Sequence, residues 1–185
     1  LYTMVLVAWL AWRPASVARW RQRLEPRLCG WGVLVWPWSY LVVIRLAVFP
    51  HFGETHALVD DWYNHAFFLF VFLFGFVFAR SDGVWDAMTR LRWPALAVAL
   101  VAYAFLAAYF GYYDDTRTPP EALRIFQRAV YAADQWAWIV AVCGFGRRWL
   151  DRDGGSRRYL TEAIFPFYIV HQTIIIVAAV HLRPL

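Results

Sequence analysis

Apolar residues in this chain run in long blocks, and polar residues gather between them. Six blocks can be drawn: Leu1–Trp12, Trp31–Phe49, Trp62–Ala79, Trp93–Tyr113, Ala129–Gly146 and Ile164–Leu182. The last five run 18 to 21 residues. About 20 apolar residues in a helix match the ~30 Å hydrocarbon core of a bilayer. Trp and Tyr cluster near the block ends, at Trp31, Trp36, Trp38, Trp62, Trp93, Tyr112, Tyr113, Trp149 and Tyr159, as in an interfacial aromatic belt. The pattern predicts an all-α, polytopic transmembrane helix bundle in a lipid bilayer, with about five complete spans plus one truncated.

The polar segments add two shorter features. Val17, Trp20, Leu24 and Leu28, set among Arg, predict a short amphipathic interfacial helix. Pro119-Pro120-Glu121 reads as a helix start, with Pro early and an acid in the first turn. From there Glu121, Arg124, Arg128, Tyr131 and Gln135 recur three and four apart, a polar stripe that enters the membrane along one helix face.

Composition agrees with this reading. Charged residues make up 17%, against about 25% in soluble domains. All 18 basic residues are Arg. They sort by loop, with five in 13–30, three in 80–92 and five in 147–158, against none in 50–61 and three in 114–128. The Arg-rich side is expected to be cytoplasmic. Loops 50–61 and 114–128, with Glu54, Asp60, Asp61, Asp114, Asp115 and Glu121, then face outward. This sorting argues against nucleic-acid binding. Cys29 and Cys143 lack metal-ligand spacing, so no metal site is expected. No GxSxG, Walker, HExxH or Cys-cluster motif occurs.

The ends carry one further expectation. There is no initiator Met and no signal-peptide series, and Leu1–Trp12 is too short to span a membrane alone. The chain is expected to begin inside a helix and to be part of a longer protein.

Four places hold candidate chemistry. His171 and Gln172 interrupt the apolar run 163–180, at a depth where polar groups need hydrogen-bond partners. Tyr168 lies one turn before Gln172, and Pro166 kinks the helix there. These residues either line a substrate cavity or serve as polar packing between helices. At the start of the third block, Asp61 and His65 are i and i+4, as are Asp60 and Asn64. They either cap the helix or orient His65 at the outer mouth of a cavity. Arg45 and Asp134 are intramembrane charges. Arg45 either snorkels to the interface or pairs with Asp134. Arg128, on the polar stripe, completes the set.

Asp61-Trp-Tyr-Asn-His65 is followed by a span ending Gly75-Phe-Val-Phe-Ala-Arg80. Further on stand Gly144-Phe-Gly-Arg-Arg148 and Tyr159-Leu-Thr-Glu-Ala-Ile-Phe-Pro-Phe-Tyr-Ile-Val-His-Gln172. In these phrases the chain resembles the acyltransferase-3 family of bacterial inner-membrane proteins, in the branch that contains glucan biosynthesis protein C. The likeness covers nearly the whole chain and corresponds to the family's C-terminal half. It implies a multi-pass inner-membrane O-acyltransferase. Such an enzyme moves an acetyl or succinyl group from acyl-CoA to a hydroxyl of an exported carbohydrate. The partners implied are acyl-CoA, the glycan acceptor and the missing N-terminal half of the same protein. The family signature, Arg or Lys and then His after ten residues on its first membrane helix, has one spacing match here, Arg45 to His56. Pro50 and Gly53 break the helix between them, so the match is rejected. The catalytic residues are expected outside this chain, with His171, Gln172, Tyr168 and His65 lining the cavity. Against this stand a secondary transporter, which also uses intramembrane His, Asp and Arg with a Pro kink, and a purely bracing role.

Overall fold

The computed structural model describes residues 13–53, 61–113, 117–151, 159, 161, 163–164, 170–171, 173–177 and 181. Among the described residues there are helices and no strands. The helices with defined bounds are α1 (Pro14–Leu28), α2 (Gly32–Ala47), α3 (Phe49–Phe52), α4 (Trp62–Phe78), α5 (Asp82–Tyr112) and α6 (Glu121–Trp149). The chain divides into two compact units, Leu1–Arg147 and Arg148–Leu185. In the second unit the described positions from 159 to 181 are helical.

Two stretches are long and apolar enough to cross a membrane. They are Gly32–Phe52, with mean hydropathy 1.7, and α5, with mean hydropathy 1.9. The 17 residues of α4 are apolar, but they extend only about 25 Å, short of the ~30 Å hydrocarbon core. α6 has the length, 29 residues, but its first half carries Glu121, Arg124, Arg128 and Asp134. Of the five complete spans expected, two described helices therefore meet both conditions. The last expected span lies largely outside the described residues.

The expected amphipathic helix at 17–28 is α1, and the helix start at Glu121 is the start of α6. The loop expected over 80–92 is a correction, because α5 already begins at Asp82. Ser81 caps it, its Oγ accepting from the Val84 N–H at 3.4 Å, and Asp82 sits in the first turn, where the helix dipole favours an acid. Val84, Ala87, Met88 and Leu91 are buried while Asp82, Asp86 and Arg90 are exposed. This spacing is an amphipathic face that continues into Ala95, Ala99, Ala102, Leu106 and Tyr109.

Aromatic side chains join the helices of the first unit. Trp136 on α6 is fully buried, in ring contact with Phe70 and Phe74 of α4 at 5.9 and 5.0 Å. Trp38 on α2 donates to the Ala129 carbonyl at 3.1 Å. α5 and α6 meet at Gly144, where an added Cβ would lie 2.3 Å from the Met88 carbonyl oxygen. Only glycine permits that approach.

These contacts also sort the ends of the unit. Ser81, before α5, donates to Glu25 of α1 at 2.6 Å, and Arg147 of α6 lies 3.5 Å from Asp82. α1, the end of α4, the start of α5 and Arg147 therefore gather at one end. The end of α2, α3 and the start of α4 meet at the other, as the Arg45 contacts below establish. The Arg of segments 13–30 and 80–92 thus share an end with Arg147, away from Asp61 and Arg128.

Candidate functional site

Arg45 lies in the last turn of α2, where the helix dipole favours a cation. Its side chain is only 5% exposed, enclosed by its neighbours rather than reaching out from the helix bundle. Three rings enclose the guanidinium: Tyr131 at 3.8 Å, Phe49 at 4.2 Å and Tyr63 at 5.0 Å from Cζ to centroid. Nη1 donates to the Tyr63 hydroxyl at 2.8 Å. Phe49 stands one turn beyond Arg45, and α3 continues the backbone there. The Phe49 ring therefore covers the cation and meets Tyr63 edge-on at 5.4 Å. A guanidinium held by ring faces and a hydroxyl recovers part of its lost hydration. That is the physical reason a charge can be buried there.

The alternative in which Arg45 pairs with Asp134 is not the observed one either. Among the described residues no ion pair joins the Asp134 carboxylate to Arg45. Its Oδ1 is buried without a hydrogen-bond partner, as is Oε1 of the adjacent Gln135. Buried polar atoms of this kind are uncommon in folded proteins.

The polar stripe of α6 reaches the Arg45 cluster through Tyr131 and Arg128. Arg128 lies 5.7 Å from the Phe49 centroid, so one ring is within reach of two guanidiniums. Among the described residues Arg128, half-buried, has no ion pair. A second cation near a buried one, at a ring they share, can receive an anionic or hydroxyl-bearing ligand.

Asp61 opens α4 beside Tyr63, and both are 1% exposed. Asp61 is the N-cap. Its Oδ1 accepts from the Asn64 backbone N–H at 3.0 Å, and its Oδ2 accepts from Asn64 Nδ2 at 2.7 Å. The capping alternative for Asp61 is therefore the observed one, with Asn64 as its side-chain partner. His65 is exposed, edge-on to Trp62 at 6.3 Å. Gly53, at φ 65°, ends α3, so the helix from Arg45 is broken as expected before position 56.

His171 belongs to the second unit, where it is helical and half-buried. Residues 173–177 beyond it are exposed. Tyr168, Gln172, Asp60 and His56 lie outside the described residues. Among the described residues, no three His, Cys, Asp or Glu side chains come together as a metal site requires.

The structure thus brings together Asp61 and Asn64 at the head of α4, and Arg45 with Arg128 around Phe49. Sequence reasoning missed Phe49 and Tyr63 as partners of Arg45. The signal for Phe49 was its i+4 spacing from Arg45; Tyr63 carried none, since it comes from another helix. Compared with known proteins, the chain matches no family model, no curated protein and no solved structure.

Proposed function

We propose that this chain is part of an integral-membrane O-acyltransferase of the bacterial inner membrane, using acetyl-CoA or succinyl-CoA and a hydroxyl of an exported glycan. The observation that carries this reading is the setting of the Asp61-Trp-Tyr-Asn-His65 phrase, on which the family resemblance rests. Tyr63 of that phrase is built into the Arg45 cluster instead of lying in an exposed loop. Two helices of membrane-spanning length and apolarity, and Arg gathered toward one end, support the membrane setting. The Arg-rich end is then cytoplasmic, facing the phosphates of coenzyme A.

In this reaction the glycan hydroxyl oxygen attacks the thioester carbonyl carbon. The C–S bond breaks, and the hydroxyl proton passes through a base to the departing thiolate. The base is assigned to the part of the protein that carries the family's Arg-x10-His helix. The part played by this chain is to position the acceptor. Arg128 and Tyr131 offer donors to it, and the ring box holds Arg45 fixed beside them.

A secondary transporter is the second reading. It is favoured by the Asp134 and Gln135 oxygens, buried without hydrogen-bond partners partway along α6. Membranes containing the full-length protein, given donor labelled in its acyl group, should load alkali-labile label onto the glycan. Proton-coupled solute uptake without such loading would replace the transferase by the transporter.

A further inference from the structure

A cleft of about 610 Å³ opens at the Arg-rich end, between α1 and the end of α4. Pro14, Val17 and Ala18 form one wall, and Phe76, Val77 and Ala79 the other. Two cations, Arg21 and Arg80, line the same space. Neither makes an ion pair or hydrogen bond among the described residues. Glu25, one turn beyond Arg21 on α1, accepts from Ser81, and Asp82, two residues beyond Arg80, lies 3.5 Å from Arg147. Apolar walls with two unpaired guanidiniums ask for a ligand that is anionic at one end and apolar at the other.

We propose that this cleft holds the headgroup of an anionic phospholipid, its phosphate between Arg21 and Arg80 and its glycerol and first acyl carbons against Val17 and Phe76. α1 fits that place. Trp20 beside Arg21 is 65% exposed, as suits a ring at headgroup depth. A helix with basic and apolar faces lies in the interface plane and is drawn to anionic lipid. A guanidinium fork matches phosphate oxygens two at a time. The proposal rests on the membrane reading above and adds to it a lipid class and a site.

Native mass spectrometry of the detergent-purified full-length protein, titrated with phosphatidylglycerol or phosphatidylcholine, tests it. Phosphatidylglycerol is expected to bind about tenfold more tightly, the ratio that a modest free-energy difference produces. The pair Arg21→Gln with Arg80→Gln should lower that affinity to the phosphatidylcholine level, while Arg21→Lys with Arg80→Lys should keep most of the preference. If the double glutamine variant fails to fold, Arg80→Gln alone decides, since that side chain is exposed. It should lose part of the preference.

Equal binding of the two lipids would overturn the proposal, as would glutamine variants that bind like wild type. Displacement of phosphatidylglycerol by equimolar inorganic phosphate would make this a site for free anions and would overturn it too. Recovery of the protein in carbonate-washed membranes tests the membrane reading separately. Retention there without lipid preference sinks only the cleft, and release from the membranes sinks both.

Discussion

Trp136 donates its indole N–H to the Val33 carbonyl oxygen at 2.7 Å, and Pro37 is the reason that oxygen is available. In a regular helix the Val33 carbonyl would accept from the residue four positions on, and proline has no N–H to give. Both Val33 and Trp136 are fully buried, so no solvent can replace the bond. The indole of α6 thus mends the break in α2.

This makes a double-mutant test. Trp136→Phe keeps a ring between Phe70 and Phe74 but deletes the donor. It should lower stability by roughly 1–3 kcal/mol, the cost of a buried acceptor left unmade. In a Pro37→Ala background the backbone N–H returns, and the same substitution should cost measurably less. Thermal unfolding of the four proteins in detergent measures the coupling. Equal costs in both backgrounds would remove Pro37 from the explanation.

How much of this was legible beforehand differs by element. α1 and the start of α6 were readable because an Arg-flanked apolar stripe and a Pro-Pro-Glu start are local signals. The first 11 residues of α5 were not read, since its buried face of Val84, Ala87, Met88 and Leu91 is amphipathic and escapes a search for unbroken apolar runs. Asp61 was readable as a cap. Arg45 was not placed, because what decides its position is Tyr63 and Tyr131, which come from two other helices. The Trp136–Val33 bond spans 103 residues, and no local pattern announces it.

The Arg45 box separates its own contributions. Tyr63→Phe keeps the ring and deletes the hydroxyl, and should cost about 1.5–3 kcal/mol, the scale of a hydrogen bond to a charged group. Arg45→Lys keeps the charge but loses the planar group that lies against Phe49 and Tyr131, and should cost more than Tyr63→Phe. Unfolding midpoints give the order. A lysine variant as stable as wild type would mean that charge alone, not the ring contacts, holds the box.

Cys29 is a native probe of sidedness. It is exposed, at the end where α1 meets α5. With Cys143 replaced by Ala, Cys29 should resist an impermeant thiol reagent on intact cells and react once they are opened. A Cys placed at Thr118, also exposed, should react on intact cells. The reverse pattern would invert the membrane orientation.

The most direct measurement is acyl transfer by the full-length protein, compared between wild type and Arg128→Gln at matched amounts of folded protein. Arg128 is half-buried and has no ion pair among the described residues, so its loss should leave the fold nearly intact. Wild type should transfer label from acetyl-CoA or succinyl-CoA to glycan. Arg128→Gln should lose about tenfold or more of that rate per folded molecule, the scale of one charge-assisted contact to a ligand. Transfer at the wild-type rate would contradict an acceptor role for the Arg128 site, and no transfer by folded wild-type protein with either donor would contradict the acyltransferase assignment itself.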